Sequence, residues 1–598
     1  MFFYAFIGEE EYQQHFQEMI ETFSEGLNLK GELKHNDSFS DGTPFSLIWR
    51  YHSNTHQYPY LNVAENHLDA ITGYYIDDLQ DVSSGPMSML DPGNPTRFRI
   101  DKERWSFVLD APLMSIEQIY YYADGRGVLI SSDLRPFLRW TNQDLEPLSV
   151  YSLLQYGNVP PPSTLIKNVH RVPYGHQLRV VQGEGFPKVV NQLPPILEWP
   201  RFPGSETPQK TTTKLLDDRL GALPENIGIF FSGGVDSGLL AARLAEIGRK
   251  DVLLVNCEFG ENDPESQLAE DMAKVLNLPF KRVSFTNDIM IKTLDNIGHN
   301  YSYPFGDEAS IGVNMMLQGC SELCNSSVVL DGAGADNAFG IGYKSQWWSK
   351  GIQSLPTSLL RMIDSLYTPI RPWWSRNFKI EKPWRIAHQA LTMDPLTLGS
   401  IAQHAMDKLA FDIPDSIHEA IRTVSIDSIE RLISNLDDDS KHSIFGLLHE
   451  SIDAFANKSY DLMKHQGIET VCPFLEGPML RFGTSLTSGQ KSPDGEDKAL
   501  LKRPLAELVP KEMVYRKKSG FIPPVHLTLK DSDVQDRLRY ALLENNTPLA
   551  NYINQEFFTD LLDRGYTGKS ISHGAMKSMW AAAFTSLWYL EAINSIFD

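Results

Sequence analysis

Apolar and polar positions follow two different rhythms along the chain, and the change falls near residue 226. Beyond that point, apolar runs of strand length at 227–231, 252–257 and 328–330 are separated by stretches with helical spacing. Strands that alternate with helices indicate βαβ units and a parallel sheet. We therefore predict an α/β domain in the second part of the chain.

One helix of this part is predicted in detail. Asp263 is a favourable N-cap and Pro264 suits the first helical turn. The apolar residues that share one predicted face are Leu268, Met272, Val275 and Leu276. A strand is predicted at 279–283, and residues 345–470 are predicted to be mostly helical.

The first 140 residues instead alternate short β-prone runs with polar turns. The run 127–132, for example, directly follows the turn 123–125. This pattern predicts an α+β domain of layered sheets. Around residues 183–212, Gly, Pro, Glu, Ser and Thr dominate, and we predict a linker there.

Composition restricts the class of protein. A chain of 598 residues is too long for one core, which predicts two domains of unequal size. No apolar run reaches membrane-spanning length, and residues 1–7 lack a basic flank, so we predict a cytoplasmic protein with no membrane partner. The net charge of −22 argues against a nucleic acid partner, because phosphate binding needs clustered Lys and Arg. The four cysteines lack metal-site spacing and are predicted to be reduced core thiols.

A glycine-rich heptapeptide, 232–238 (Ser-Gly-Gly-Val-Asp-Ser-Gly), joins the first apolar run to an amphipathic stretch. Two glycines let the backbone approach an anion closely, and the following helix adds its positive end. A bare Gly-Gly pair is equally typical of a structural turn. The Lys that follows the second Gly in the Walker pattern is absent here. The complete heptapeptide predicts a pyrophosphate-binding loop, and hence cleavage of a nucleotide between its α- and β-phosphates.

Four ordered motifs resemble the class B asparagine synthetase family. The heptapeptide 232–238 also resembles the signature of the wider ATP-pyrophosphatase group. The other three motifs are the turn 331–337 (Asp-Gly-Ala-Gly-Ala-Asp-Asn), the segments 456–458 and 467–476, and the segment 516–521 (Arg-Lys-Lys-Ser-Gly-Phe). Residues 162–167 and 172–176 resemble the stretch that closes the family's N-terminal domain, so the resemblance covers nearly the whole chain.

The resemblance implies a two-domain α/β fold. Residues 1–200 would form an inactive glutaminase-like domain with a layered, Ntn-hydrolase-like α+β fold, retained as scaffold. Residues 201–598 would form an ATP-pyrophosphatase domain, adenine nucleotide α-hydrolase-like, with a parallel sheet and helical additions. The implied activity is ATP-dependent ligation, in which a carboxylate attacks the α-phosphate to give an acyl-adenylate and an amine then displaces AMP.

The same resemblance implies ATP and Mg²⁺ as cofactors and assigns roles to particular residues. Asp236 and Asp336 would bridge Mg²⁺ ions to the phosphates, since hard cations take carboxylate and phosphate oxygens together, although each Asp alone also suits a cap or turn. Lys518 matches the family's catalytic lysine, and the adjacent Arg516 and Lys517 leave the register open by one residue. The residues implied around the nucleotide are Ser232, Gly233, Gly234 and Ser237 at pyrophosphate, and Phe230 and Gly332 near adenine.

Three departures from the family pattern concern the source of nitrogen. Glutamine-hydrolysing members carry Cys after the initiator Met, whereas this chain has Phe2 and no Cys before residue 257. Ala333 stands where asparagine synthetases carry Glu and β-lactam synthetases Tyr, and Asn337 replaces the Glu after the motif's Asp. The string Asp-Gly-Ala-Gly-Ala-Asp-Asn resembles the Asp-Asn motif of lasso-peptide cyclases.

These departures favour a macrolactam synthetase that joins the N-terminal amine of a ribosomal peptide to an Asp or Glu side chain. The implied partners are a precursor core peptide, a leader-peptide-binding protein and a protease. An ammonia-dependent asparagine synthetase or a β-lactam-synthetase-like ligase is the alternative, and a non-catalytic scaffold is a third hypothesis. The base that deprotonates the amine stays open among Glu469, Glu450 and Asp307, each equally explained as a structural ion-pair partner.

Overall fold

The computed structural model describes most of the chain. The described residues are 1–52, 58–74, 96–183, 187–192, 207–260, 263–340, 351, 354–367, 387, 390–391, 429–430, 432–516, 523–569 and 571–594.

Two antiparallel sheets occupy the N-terminal part. The first has the strand order β10-β8-β9-β1-β3-β2, and the second has the order β12-β11-β7-β6-β5-β4. The strands are β1 (Phe2–Gly8), β2 (Gly31–Ser38), β3 (Pro44–Tyr51), β4 (Tyr58–Val63), β5 (His67–Tyr74), β6 (Arg97–Asp101), β7 (Ser106–Asp110), β8 (Tyr120–Asp124), β9 (Gly127–Ser131), β10 (His170–Arg171), β11 (Gln177–Val181) and β12 (Lys188–Gln192).

The facing surfaces of these two sheets share one apolar core. Phe3 of β1 lies against Phe98 of β6, with ring centroids 4.1 Å apart. On the other side of the first sheet, helix α1 (Glu10–Gly26) packs on β1, and Phe16 stacks on Phe6. Successive side chains of a strand point to opposite faces, so β1 is apolar on both. The predicted layered α+β arrangement is confirmed.

A parallel sheet begins at residue 227. Its order is β15-β14-β13-β16-β17, with β13 (Ile227–Phe230), β14 (Val252–Glu258), β15 (Phe280–Ser284), β16 (Val328–Leu330) and β17 (Glu469–Val471). The chain moves from β13 to β14 and β15 on one side, and later to β16 and β17 on the other. The strand order therefore reverses between β13 and β16, and such a reversal opens a crevice at the carboxyl ends of the two strands. The predicted α/β fold class is confirmed.

Helices surround the sheets. They are α2 (Arg135–Trp140), α3 (Pro147–Tyr156), α4 (Pro208–Gly221), α5 (Val235–Glu246), α6 (Pro264–Leu276), α7 (Asn287–Leu294), α8 (Ile297–Asn300), α9 (Ala309–Gly319), α10 (Ala335–Phe339), α11 (Thr357–Tyr367), α12 (Asp438–Gly446), α13 (Asn457–His465), α14 (Gly477–Ser485), α15 (Ser488–Lys491), α16 (Ala499–Leu508), α17 (Lys511–Val514), α18 (Val525–Thr528), α19 (Ser532–Arg539), α20 (Gln555–Tyr566) and α21 (His573–Asn594). Among the described residues, the π-helical segment Leu447–Ala456 joins α12 to α13. A second π-helical segment, Tyr540–Glu544, follows α19. Within the described residues, no helix combines the length and apolarity needed to cross a membrane.

Helix α6 confirms its predicted start and part of its predicted face. The Asp263 carboxylate accepts a hydrogen bond from the backbone N–H of Glu265, as an N-cap does. Met272 of the predicted face is 1% exposed, whereas Val275 is 45% exposed. The buried residues of the helix also include Ala269 and Ala273, so Met272 and small residues together form its buried face.

The predicted linker 183–212 is wrong at both ends. Strand β12 pairs with β11 through residues 188–192, and α4 already begins at Pro208. Residues 193–206 lie outside the described part of the chain, and the predicted domain boundary at residue 200 falls among them, so this boundary stays a prediction.

The cysteine prediction holds for three of the four thiols. Cys257, Cys320 and Cys472 are buried and free, but Cys324 is exposed. Most of the predicted helical region 345–470 lies outside the described residues, and its described parts include α11, α12, α13 and the first π-helical segment.

Candidate functional site

The heptapeptide 232–238 forms a tight loop between β13 and α5. The backbone N–H of Gly234 donates to Ser232 Oγ at 3.3 Å, and the two hydroxyl oxygens of Ser232 and Ser237 lie 3.2 Å apart. Gly233 has φ +63°, and a Cβ there would lie 2.8 Å from Cα of Ala269. The loop therefore requires glycine at position 233, both for its left-handed backbone and for its approach to α6.

The second glycine-rich turn follows β16 and packs directly on the first loop. A Cβ at Gly332 would lie 3.0 Å from Cβ of Asp236. The carboxylate of Asp331 accepts hydrogen bonds from the N–H of Ala333 at 3.0 Å and from the hydroxyl of Ser459 at 2.5 Å. These bonds fix the turn as it leaves the strand and bring the two predicted motifs together at the crevice.

Lys498 connects the two motifs. Its ammonium nitrogen Nζ lies 2.7 and 2.9 Å from the carboxylate oxygens of Asp236 and 2.6 Å from Oδ1 of Asp336. The Lys498 and Asp236 side chains are 11% and 19% exposed, whereas Asp336 is 76% exposed and forms the open side of the site. Burial lowers the pKa of Lys498, but the two carboxylates outweigh burial and hold this pKa above its ordinary value.

Sequence reasoning missed Lys498, and its local structure explains why. Lys498 is the N-cap residue of α16 and has φ +55°. A cation at the positive end of a helix and a left-handed backbone at a non-glycine residue are both unfavourable locally. The partners that offset these costs, Asp236 and Asp336, come from distant parts of the chain and are brought to Lys498 only by the fold.

The two carboxylates fit a divalent cation held together with a nucleotide. Both lie within hydrogen-bonding distance of one ammonium group, so both already face a common cation position. Within the described residues, no group of three or more His, Cys, Asp and Glu side chains is arranged to hold a metal. Further ligands of Mg²⁺ at Asp236 and Asp336 would thus have to be phosphate oxygens or water, as is usual for this ion.

Asn337 makes hydrogen bonds to the π-helical segment Leu447–Ala456. Its amide nitrogen Nδ2 donates to Glu450 Oε2 at 3.1 Å and to Ser451 Oγ at 3.0 Å. The hydroxyl of Ser443 donates to the Asn337 carbonyl at 2.5 Å. Burial raises the pKa of Glu450 to about 7, the charge of Asp336 acts in the same direction, and the bond from Asn337 opposes them.

Of the remaining predicted residues, Phe230 and Arg516 lie within the described part of the chain and Lys518 does not. Phe230 ends β13 and is half-buried beside the loop. Arg516 donates to Glu265 at 2.6 Å and to the carbonyl of Gly233 at 3.3 Å, so the chain reaches the heptapeptide loop 232–238 at this residue. Lys518 lies outside the described residues, and its predicted role stays a prediction.

The three residues considered as the base differ in their surroundings. Asp307 accepts a hydrogen bond from Lys458 at 3.0 Å, which fits a structural ion pair. Glu469 is buried in β17. Glu450 alone of these three contacts the residue next to Asp336 through a hydrogen bond. The identity of the base stays open.

Comparison with known proteins gives a consistent result at the family level. Residues 219–590 match the asparagine synthase family. A putative glutamine-hydrolysing asparagine synthetase of Mycobacterium bovis is 23% identical over 480 residues, covering 75% of this chain and 68% of its own. The glutamine-hydrolysing asparagine synthetase 1 of Bacillus subtilis is 20% identical over 497 residues, covering 79% of this chain and 73% of its own.

Solved structures give weaker similarities. The NH₃-dependent NAD synthetase of Campylobacter jejuni covers 42% of this chain and 96% of its own at 14% identity, with a TM-score of 0.19. The glutamine phosphoribosylpyrophosphate amidotransferase of B. subtilis covers 58% of this chain and 77% of its own at 8% identity, with a TM-score of 0.21. These TM-scores are too low to support an argument about this site.

Proposed function

The chain belongs to the asparagine synthase family and is an ATP-dependent carbon–nitrogen ligase, and from this premise we propose that it closes a macrolactam ring in a ribosomal peptide. The alternative within the same family is an ammonia-dependent asparagine synthetase or a β-lactam-synthetase-like ligase. The observation that carries the adenylating part of the proposal is the position of Lys498 between Asp236 and Asp336.

In the proposed first step, an oxygen of the substrate carboxylate attacks the α-phosphorus of ATP, and the bond from that phosphorus to pyrophosphate breaks. The Ser232 and Ser237 hydroxyls and the backbone around Gly233 would bind the leaving pyrophosphate, and Lys498 would offset its charge. Mg²⁺, held by Asp236 and Asp336, would supply further charge neutralisation when bound.

In the proposed second step, the amine nitrogen attacks the acyl carbon and AMP leaves. A base takes the proton of the amine, and the product is an amide. Adenylation is needed because hydroxide is a poor leaving group from a carboxylic acid, whereas AMP leaves readily from a mixed anhydride. Holding both reactants on one protein can provide effective concentrations on the order of 10⁵ M or more.

The surroundings of residues 333 and 337 support a peptide amine as the nucleophile. Ala333 offers only a methyl group where the resembled small-molecule ligases carry Glu or Tyr. Asn337 already makes hydrogen bonds to Glu450 and Ser451 on its inner side. Position 2 is occupied by Phe2 and not by a Cys thiol. Phe2 is fully buried, and its ring centroid lies 4.9 Å from that of His465. We propose that the N-terminal domain supplies no ammonia from glutamine.

The proposed reaction requires further proteins. A ribosomal precursor must lose its leader before its core has the free amine that closes the ring. We therefore propose a leader-peptide-binding protein and a protease as partners, and a cytoplasmic location for the assembly.

The proposal is tested by supplying the purified full-length chain with Mg-ATP and one of two substrate sets. The first set is the short peptide encoded beside its gene, together with its processing proteins, and the second is aspartate with ammonium. We expect AMP and a peptide lighter by one water, measured by mass spectrometry. Asparagine with AMP would establish the ammonia-dependent alternative instead. The absence of AMP with both sets would overturn the macrolactam proposal and leave the β-lactam-synthetase-like ligase or a non-catalytic scaffold.

A further inference from the structure

The π-helical segment Leu447–Ala456 contacts two distant parts of the molecule, and we call it the π-helix below. It spans 10 residues. Such helices are rare and occur frequently at functional sites, because their wider turn places side chains where an α-helix would not. One part contacted by the π-helix is the turn that carries Asp336, and the other is the N-terminal region.

On the site side, the π-helix holds Asn337, which directly follows Asp336. The Asn337 amide donates to Glu450 and to Ser451 at 3.1 and 3.0 Å. A Cβ at Gly446, just before the π-helix, would lie 2.4 Å from Oδ1 of Asn337. A shift of the π-helix along or about its axis would therefore move Asn337, and Asp336 with it.

On the other side, the π-helix is fixed by a buried carboxylate. Asp453 is 2% exposed, and its Oδ1 accepts a hydrogen bond from Nη2 of Arg171 at 2.8 Å. Its Oδ2 accepts a hydrogen bond from the hydroxyl of Tyr174. Gln118 Nε2 makes a long contact of 3.5 Å to the same carboxylate. All three partners belong to the N-terminal region.

A buried ion pair of this kind specifies geometry more than it stabilises. Desolvation of Arg171 and Asp453 offsets much of their attraction, so such a pair adds little net stability. Two directional hydrogen bonds to the two oxygens of one carboxylate nevertheless fix its position. The Arg171 guanidinium also lies 5.0 Å from the centre of the Tyr174 ring, which orients these two donors relative to each other.

We propose that Asp453 is a positioning residue, through which Arg171 and Tyr174 of the N-terminal region hold the π-helix in register and thereby place Asp336 for Mg-ATP. The N-terminal region then acts on the nucleotide site mechanically, through side-chain contacts. This inference rests on the nucleotide-binding part of the proposed function and does not depend on which carboxylate or amine is used.

The test measures binding of Mg-ATP to the full-length chain by calorimetry, together with the melting temperature without nucleotide. Tyr174→Phe removes only the hydroxyl that Asp453 accepts. Tyr589→Phe is the matched control, because the Tyr589 hydroxyl donates to the Gln143 carbonyl at 3.0 Å and so also joins the N-terminal region to a C-terminal helix, away from the π-helix. We expect Tyr174→Phe to weaken Mg-ATP binding about tenfold, and the control to leave it unchanged at a similar melting temperature.

A double-mutant cycle separates positioning from general weakening of the fold. Ser451→Ala removes a contact at the other end of the same path. If Tyr174 acts through the π-helix, the double variant should bind Mg-ATP no more weakly than the weaker single variant, because both changes weaken the same path that positions Asn337. Independent effects would instead multiply, and this result would overturn the proposal.

The outcomes also distinguish this inference from the proposed function. Normal Mg-ATP binding by Tyr174→Phe, with tight binding by the unaltered chain, would overturn the positioning role alone. Failure of the unaltered chain to bind Mg-ATP would overturn both. Asp453→Asn is a second variant, which retains the shape of the side chain and loses its charge. Mg-ATP binding by this variant equal to that of the unaltered chain would also overturn the positioning role.

Discussion

At the scale of single residues, the site depends on Lys498. We predict that Lys498→Met lowers ATP-dependent AMP formation by roughly 10²-fold or more, because the variant loses the charge that faces the phosphates. The measurement is the initial rate of AMP release with Mg-ATP and substrate.

The matched control for this prediction is Lys502→Met, one turn further along α16. The Lys502 side chain is partly buried and makes no contact with Asp236 or Asp336. The rate of AMP release should therefore stay near that of the unaltered chain. If Lys498→Met instead kept its rate and needed less Mg²⁺, Lys498 would only be a placeholder for the metal between the two aspartates.

Lys518 gives a second prediction at this scale. By its resemblance to the family's catalytic lysine, Lys518→Ala should abolish ligation and leave the fold intact, because the charge on the α-phosphate and on the tetrahedral intermediate would be unopposed. Product yield by mass spectrometry and the melting temperature are both measured. Lys517→Ala is the control for the register, and a near-normal yield from Lys518→Ala would remove this residue from the mechanism.

At the scale of elements, the heptapeptide loop 232–238 approaches α6 closely at Gly233. Gly233→Ala should destabilise the chain by on the order of 2 kcal/mol, because a left-handed alanine is strained and its Cβ would meet the backbone of Ala269. Urea unfolding measures the effect. At Gly221, the last residue of α4, an added Cβ meets nothing within 4 Å, so Gly221→Ala should be neutral or slightly stabilising. Equal stabilities of the two variants would contradict this account of the loop.

Arg516 contacts the heptapeptide loop 232–238 and helix α6, and it lies two residues before Lys518 in the sequence. Arg516→Ala should lower kcat/KM roughly ten- to a hundredfold, since small displacements of catalytic groups are costly, with a stability loss of only about 1 kcal/mol for a partly exposed ion pair. Steady-state kinetics and urea unfolding check both numbers. Lys511→Ala, exposed at the start of α17, is the control. An unchanged kcat/KM in Arg516→Ala would show that this anchor is not needed.

At the scale of the whole molecule, buried carboxyl groups make stability depend on pH. Glu591 on α21 accepts hydrogen bonds from the N–H groups of Gly298 and His299, and burial raises its pKa to about 8. A carboxyl whose folded pKa lies above its unfolded value contributes stability below the unfolded pKa, and this contribution is lost as pH rises through the folded one. The loss attributable to Glu591 thus falls between about pH 4.5 and 8.

Glu591→Gln keeps an acceptor oxygen and removes this titration. We predict that the melting temperature of the variant, minus that of the unaltered chain, increases from pH 5 to pH 8. Calorimetric scans across this range measure the difference. Glu556→Gln, at an exposed position on α20, should show a difference that is constant with pH. A constant difference for Glu591→Gln would mean that its carboxyl titrates normally in the fold.

Much of the fold is specified locally. The run Val328–Leu330 and the start of α6 at Pro264 match their predictions because apolar spacing and capping chemistry act within a few residues. The predicted linker is wrong at its N-terminal end because composition does not reveal that residues 188–192 pair with β11. Periodicity placed Met272 correctly on the buried face of α6 but not Val275, because periodicity alone does not show which apolar positions at the edge of a face meet a neighbour.

The candidate site likewise combines locally specified features with contacts between distant segments. The local sequence and its resemblance to a known family identified the loop 232–238 and the turn 331–337, because glycine-rich motifs and strand ends are local properties. Lys498, the contacts of Asn337 with the π-helix, and the Asp453 pair with Arg171 and Tyr174 join segments far apart in sequence. The sequence by itself determined the elements and the chemical groups at their ends. Only the tertiary structure decided which groups face one another, because burial and pairing of charges depend on the packing of the whole chain.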